Sequence, residues 1–320
     1  MASFLRSTGS SALKSASRLY STSASASALR RPSSSAIALS SAAVIAGTAS
    51  YYFYSSMAAP ISASSPVFTG EFVDLTLTDI KKVTDSTSIF TFSFDDKDAV
   101  SGLVTASALL VKYVTAKGNN VIRPYTPISD TEQKGSLDLL VKEYPEGKAS
   151  KHIHQLKPGD KLAMKGPIVK YAWSANKHPE IVLIGGGTGI TPLYQLLHEI
   201  SKNPEDKTKV TLVQCYVTEN EILLKDRIDA IVASRPEQFK VVYSLDKPSE
   251  SWTGLSGYLT KESVGPYLPS PTADNVKIFV CGPPPMYNAV SGAKVSASDQ
   301  GEVGGILKDL GFTKEQVFKF

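Results

Sequence analysis

The run Gly185-Gly186-Gly187-Thr188-Gly189-Ile190-Thr191-Pro192 directly follows the apolar segment Ile181-Val182-Leu183-Ile184. An apolar run without alternation reads as a buried strand, and Thr191-Pro192 offers a helix N-cap with proline at the first helical position. Glycines at such a turn let backbone N–H groups approach a phosphate, and the helix N-terminus favours its charge. The spacing differs from the G-x-G-x-x-G dinucleotide fingerprint, and a tight strand-to-helix turn without a ligand would look the same. Upstream stands Arg123-Pro124-Tyr125-Thr126-Pro127, which reads as a strand. Its guanidinium can fork two hydrogen bonds to a second phosphate, and Tyr125 offers a flat apolar face beside it. Downstream, Cys281-Gly282-Pro283 ends another apolar run. Two dinucleotide sites in one chain suit the passage of electrons from one cofactor to another.

Other residues qualify this picture. Asp246 closes the run Val241-Val242-Tyr243-Ser244-Leu245. A carboxylate there could accept from ribose hydroxyls and repel a 2′-phosphate, or simply begin a turn. Cys215 and Cys281 are far apart and lack metal spacing, so neither a disulfide framework nor a zinc site is expected. The four histidines form no metal constellation. His152 and His154 alternate within a short helix and do not share a face; His178 and His198 read as surface residues.

The elements that must position these groups fall into two halves. From Phe72 to about Trp173 the chain reads as short strands rich in β-branched and aromatic residues: 72–78, 88–94, 108–114 and 136–141, with another after the turn Lys157-Pro158-Gly159-Asp160. A short helix starts at Lys148. Many strands with little helix predict a small antiparallel barrel. From His178 onward, strands at 181–184, 210–217, 240–245 and 277–280 alternate with helical stretches at 192–201, 222–234, 260–267 and 284–296. That alternation predicts a parallel sheet with right-handed crossovers, which binds ligands at the carboxyl ends of its strands. Both glycine-containing turns follow strand ends.

The chain has 320 residues, 42% of them hydrophobic, enough for two cores. Its formal charge of +4 belongs to the leader: residues 1–70 hold five basic residues and no acid, while the remainder holds 29 basic and 30 acidic residues. The basic balance therefore gives no reason to expect nucleic acid. A Ser-, Ala- and Arg-rich, acid-free start at 1–35 has the character of a mitochondrial presequence. Residues 36–54 are uncharged, end in Tyr51-Tyr52-Phe53-Tyr54, and have the length of one Ser-rich membrane span; a cleaved presequence tail would read similarly. A linker at 55–66 follows.

The three motifs, in this order, resemble the ferredoxin–NADP reductase superfamily, and within it most closely the NADH–cytochrome b5 reductases, over about Phe72 to Phe320. The ending from Lys308 to Phe320 is similar to the fungal mitochondrial branch. The resemblance implies two domains: an antiparallel β-barrel FAD-binding domain at 67–176, then an α/β parallel-sheet NADH-binding domain at 177–320. It implies that Arg123, Pro124, Tyr125 and Thr126 hold FAD, with Arg123 at the pyrophosphate, Tyr125 against the isoalloxazine and Thr126 near its N5. Val141, Lys142 and Tyr144 match a second flavin-holding segment, Lys142 also being a contact for the nicotinamide nucleotide. Gly147, Lys148, Ala149 and Ser150 would place a helix N-terminus at the FAD phosphates, after a connection from Tyr144 shorter than in animal relatives. Gly185, Gly187, Thr188 and Gly189 would lie under NADH. Cys281, Gly282 and Pro283 would lie beside the nicotinamide, and Asp246 would favour NADH over NADPH. Thr126 and Cys281 are the expected catalytic positions. Thr218–Lys225 also matches, although Tyr216 stands where relatives often have Asn.

The implied activity is NADH oxidation through FAD, with single electrons passed to a cytochrome b5-like haem protein. An NAD(P)H–ferredoxin or flavodoxin-type reductase and a non-catalytic, membrane-tethered nucleotide-binding module remain alternatives. The expected location is the mitochondrial outer membrane, held by the N-terminal anchor, with a cleaved soluble form in the intermembrane space. Residues 112–177 hold 12 basic and 6 acidic residues, a local surplus that could steer an acidic partner, although residues 71–111, with 3 basic and 7 acidic, partly offset it and a set of solvated lysines would give the same count.

Overall fold

The computed structural model describes residues 65–320. The leader, the anchor at 36–54 and nearly all of the 55–66 linker lie outside the described residues. Among the described residues, no helix is long and apolar enough to cross a membrane.

The first lobe is a six-stranded antiparallel sheet in the order β4-β3-β6-β1-β2-β5. The strands are β1 (Val73–Lys82), β2 (Thr87–Ser93), β3 (Ser107–Val114), β4 (Asn120–Tyr125), β5 (Ser136–Lys142) and β6 (Lys161–Val169). Period-2 alternation sends Leu75 and Leu77, Phe90 and Phe92, Leu109 and Val111, Leu137 and Leu139, and Leu162 and Met164 into one shared core. Register shifts at Leu77/Asp79 and Ala108/Leu110 help curl the sheet around it. The outer strands of the ladder are β4 and β5. Pro124 fits β4 because an edge strand can spare an N–H. The helix α1 (Lys148–Gln155) follows β5.

The second lobe is an all-parallel sheet in the order β10-β9-β8-β7-β11-β12. Its strands are β7 (Glu180–Gly186), β8 (Lys209–Tyr216), β9 (Phe239–Leu245), β10 (Leu255–Ser256), β11 (Lys277–Cys281) and β12 (Val317–Lys319). The helices α2 (Ile190–Lys202), α3 (Lys225–Ser234), α4 (Lys261–Val264), α5 (Pro284–Val290) and α6 (Gly305–Asp309) lie between them. Both faces are covered. In β7, Ile181 and Leu183 pack with α2, while Val182 and Ile184 pack with Val290 and Leu307 on the other side. Burial on both faces is what makes β7 read as a continuous apolar run.

The lobes share apolar contacts, because Ile89, Ala106, Ile128 and Leu140 of the first join the core around α2. Polar ties cross the same boundary. Gln195 Nε2 donates to Pro127 O at 3.0 Å, and Asp130 meets both His198 Nε2 at 3.0 Å and Lys202 Nζ at 2.9 Å.

Several local expectations are corrected. The second-lobe helix begins at Ile190, not Pro192, with Gly189 as its N-cap; proline is tolerated in its first turn, where N–H groups have no intrahelical partner. The helix expected over 284–296 stops at Val290. Gly292 turns the chain at φ +77°, and the backbone of Gly304 packs against it. His178 is buried, bonded to Tyr171 Oη at 2.6 Å and Asn275 O at 2.9 Å, and is not a surface residue. His198 keeps about a third of its side chain exposed but also meets Asp130 of the first lobe. β10, β12 and α6 had no sequence expectation.

Candidate functional site

A cleft of about 710 Å³ opens where the two lobes meet, within the size range of small-molecule and cofactor sites. Its first-lobe wall comes from the two outer strands and α1: Arg123, Pro124, Tyr125 and Thr126 at the end of β4, then Val141, Lys142, Tyr144, Gly147, Lys148, Ala149 and Ser150. Its second-lobe wall comes from strand ends: Thr188 and Gly189 after β7, and Cys281, Gly282 and Pro283 at β11. The cleft thus gathers every sequence-predicted site residue except Gly185, Gly187 and Asp246.

Arg123 is exposed, and its Nη1 donates at 2.8 Å to Ile122 O alone. Among the described residues, the rest of its guanidinium fork meets no acceptor. Tyr125 is half-buried, and burial pushes its phenol up to about 12, with Arg123 opposing. It is a neutral aromatic face at any working pH. Thr126 lies one residue beyond β4, free of the ladder. Ser150 Oγ donates to Gly147 O at 3.1 Å and accepts from Tyr144 N at 3.2 Å, so this hydroxyl closes the short 144–147 turn. α1 has Gly147 as its N-cap, and α2 has Gly189, each without a side-chain cap. The start of α1 therefore presents first-turn N–H groups that no capping side chain claims, whereas the Ile190 N–H at the start of α2 already donates to Gly187 O in the turn before it.

The glycines have separate tasks. A Cβ at Gly185 would press into Leu193 and Gln214, so this residue lets α2 lie close on the sheet and does not line the cleft. Gly187 has φ +54°, and a Cβ there would meet nothing within 4 Å; it supplies the left-handed turn and an open cradle. A Cβ at Gly189 would lie 2.6 Å from the carbonyl carbon of Cys281 and closer still to its oxygen. Gly189 therefore permits the loops after β7 and β11 to touch.

Cys281 is partly exposed at the cleft, and burial pushes its thiol up to about 11. It is a neutral thiol, not a poised nucleophile. Lys142 Nζ meets Glu221 Oε2 at 3.3 Å, and Tyr144 Oη lies 3.4 Å from Thr188 Oγ1; both contacts join the lobes across the cleft. Asp246 stands at the carboxyl end of β9, its N–H donating to Tyr216 O at 3.0 Å. Burial raises its carboxyl, Glu221 adds to this and Lys247 opposes it. It shares the ligand-binding edge of the parallel sheet but lies two strands from Gly186.

Sequence reasoning missed part of the second-lobe wall: Tyr287, Lys294, Ala297 and Phe320, together with Lys170 of the first lobe. Tyr287 Oη donates to Phe320 O at 2.8 Å, holding the chain end at the cleft. Among the described residues, no cluster of His, Cys, Asp and Glu is arranged to hold a metal ion.

An open guanidinium fork and an uncapped helix start on the first-lobe wall, facing the Thr188-Gly189 turn on the second, fit a phosphate-bearing dinucleotide from each side of one large cleft. Comparison with known proteins agrees. Residues 74–173 match the oxidoreductase FAD-binding domain family, and residues 183–292 the oxidoreductase NAD-binding domain family. A protein of Yarrowia lipolytica named NADH-cytochrome b5 reductase 2 is 56% identical over 284 residues, covering 88% of this chain and 98% of its own length. One of the same name from Aspergillus terreus is 49% identical over 311 residues, 96% of each chain. The cytochrome b5 reductase domain of Ulva prolifera nitrate reductase superposes with a TM-score of 0.70 at 27% identity, covering 80% of this chain and all of that domain. A ferredoxin NADP+ reductase of Neisseria gonorrhoeae shares the fold, with a TM-score of 0.59 at 18% identity over 78% of this chain and 98% of its own. With an FAD-binding domain followed by an NAD-binding domain and relatives this similar along their length, the chain belongs to the NADH–cytochrome b5 reductase family.

Proposed function

We propose that this chain is an oxidoreductase that takes electrons from NADH, passes them through FAD, and delivers them singly to a haem protein, cytochrome b5 or one like it. The observation that carries the reading is the convergence of two phosphate-competent turns, one from each lobe, on one cleft that also holds the Tyr125 ring and the Cys281 thiol. Bound FAD would supply the exchange between two-electron and one-electron chemistry that joins a hydride donor to a haem.

The residues divide the work. Arg123 forks onto the FAD pyrophosphate, and the N-terminal turn of α1 at Gly147–Ser150 receives its charge. Tyr125, Thr126 and Val141 orient the flavin ring. The Gly187-Thr188-Gly189 turn receives NADH, and Cys281, Gly282 and Pro283 hold the nicotinamide end in place without a covalent step. Lys142 and Tyr144, tied to Glu221 and Thr188, keep the two walls in register. Asp246 selects NADH by repelling a 2′-phosphate. The FAD-holding unit is taken as 67–176 and the NADH-holding unit as 177–320. The basic surplus of residues 112–177 supports an acidic haem partner.

The acid-free, Arg-bearing leader and the uncharged stretch at 36–54 support placement at the mitochondrial outer membrane through one N-terminal anchor. Carbonate extraction of isolated mitochondria with protease protection tests this; full-length protein confined to the soluble matrix would overturn it. The function is tested by screening purified haem proteins and ferredoxins as acceptors with NADH as donor. Turnover with cytochrome b5 is expected, and turnover with ferredoxin alone would move the reading to the ferredoxin-type reductases.

A further inference from the structure

Lys319, the penultimate residue, is almost fully buried at 1% exposure. Its ammonium makes no ion pair among the described residues. Instead Nζ donates to three backbone carbonyls of one connection, Ala293 O at 3.2 Å, Gln300 O at 2.7 Å and Glu302 O at 2.9 Å. Gln300 grips the backbone of Lys319 in return, Oε1 accepting from its N–H at 2.6 Å and Nε2 donating to its carbonyl at 3.0 Å. A buried ammonium is costly, and an apolar side chain of similar length would avoid that cost. Three N–H donors, however, can draw three carbonyls from two arms of a loop to one point, which no apolar side chain can do.

The connection so held is the one between α5 and α6, where the expected helix fails. It brings Lys294 and Ala297 to the cleft, while the residue after Lys319, Phe320, lines the same wall beside Cys281. Lys294 meets opposition there. Lys170 also lines the cleft, and burial first, then Lys170, lowers the pKa of Lys294. Neither lysine forms an ion pair with a carboxylate among the described residues. Something must keep Lys294 against its like-charged neighbour, and the Lys319 tripod grips the residue next to it.

We propose that Lys319 is a positioning residue for nicotinamide-nucleotide binding: its ammonium fixes the 293–302 connection and the chain end as one wall, and so holds Lys294 and Phe320 at the cleft beside Cys281. This rests on the reading that NADH enters that side of the cleft. Lys319 itself touches no ligand.

The test uses flavin-loaded protein with Lys319→Ala and the near-isosteric Lys319→Met. NAD+ affinity is measured by titration, and backbone amide exchange is followed across residues 293–302. Both variants should weaken NAD+ binding roughly tenfold or more, equivalent to about 1.4 kcal/mol. Exchange in 293–302 should accelerate while FAD content is retained. Propylammonium, which replaces the part of the side chain that Lys319→Ala removes, should restore affinity, and 1-propanol should not. NAD+ affinity within about twofold of wild type, or unchanged exchange in the loop, would overturn the proposal. Should the Lys319 variants fail to fold, Lys294→Ala probes the same wall, and unchanged NAD+ affinity there overturns the proposal too. Wild-type protein that fails to bind NAD+ would instead remove the functional reading on which it rests.

Discussion

Gly189→Ala should separate catalysis from folding in this site. Gly189 has φ −59° and ψ −11°, a conformation alanine adopts freely, so no backbone strain is involved. The whole effect is steric. The added methyl would lie 2.6 Å from the Cys281 carbonyl carbon and 3.0 Å from Gly282 Cα, where ordinary contact begins at 3.4 Å. The atoms it meets are backbone and cannot swing aside, so the loops after β7 and β11 must part by about 1 Å. Overpacking of this kind costs about 1–3 kcal/mol of stability, or about 2–4 °C of Tm per kcal/mol for a protein of this size. A shift of about 1 Å at a reacting centre costs up to about 10²-fold in rate. Rapid mixing with NADH, monitored by flavin absorbance, should show reduction slowed by roughly ten- to a hundredfold, while FAD content stays at wild-type level because Arg123 and α1 are untouched. Wild-type flavin reduction in a folded Gly189→Ala protein would show that the Gly189–Cys281 contact does not set the geometry of electron entry.

Arg123→Ala should weaken FAD retention by about 1.5–3 kcal/mol, the worth of a hydrogen bond to a charged group; equilibrium dialysis of FAD checks it, and unchanged affinity removes Arg123 from the site. Asp246→Ala should narrow the ratio of kcat/KM for NADH over NADPH, and an unmoved ratio makes Asp246 a turn residue. Cys281→Ala should slow flavin reduction at unchanged FAD content; a variant that loses flavin yet transfers hydride normally per bound FAD makes Cys281 a packing residue. Asp130 gives a pH test. Partial burial favours its protonation, but hydrogen bonds from the Glu132 N–H, Lys202 and His198 outweigh that and bring its pKa from 3.8 to about 2. A carboxylate with a depressed folded pKa stabilises above its unfolded pKa and loses that contribution as pH falls through the folded value. The Tm gap between wild type and Asp130→Asn should therefore be full above about pH 5 and shrink from about pH 4 toward 2; a gap constant across that window would refute the interlobe ion pair.

Much of the architecture was legible because it rests on local periodicity. Leu75 with Leu77 and Phe90 with Phe92 alternate on one face, and Ile181–Ile184 is apolar throughout because both faces of β7 are covered. Motifs at strand ends could be placed on one sheet edge by the rule for parallel sheets, and most of their residues line one cleft. What escaped was set by distant partners. His178 looked like a surface residue, yet its burial depends on Tyr171 and on Asn275, 97 residues away. The end of α5 depends on the approach of Gly304 to Gly292. β12 is three residues long, too short for periodicity, so nothing placed Phe320 at the cleft or Lys319 beneath it. Gly185 sat inside a glycine run and was expected under NADH with its neighbours; Leu193 and Gln214 crowd the place of a side chain there, a packing demand that the run of glycines did not distinguish from ligand binding.

The most direct test of the account is anaerobic mixing of purified, flavin-loaded protein, first with NADH and then with oxidised cytochrome b5, with flavin and haem absorbance followed together. The account predicts that NADH bleaches the flavin band, that NADPH does so far more slowly, and that the band returns as the haem is reduced. A flavin band unmoved by NADH, or haem reduction that proceeds without flavin turnover, would contradict it.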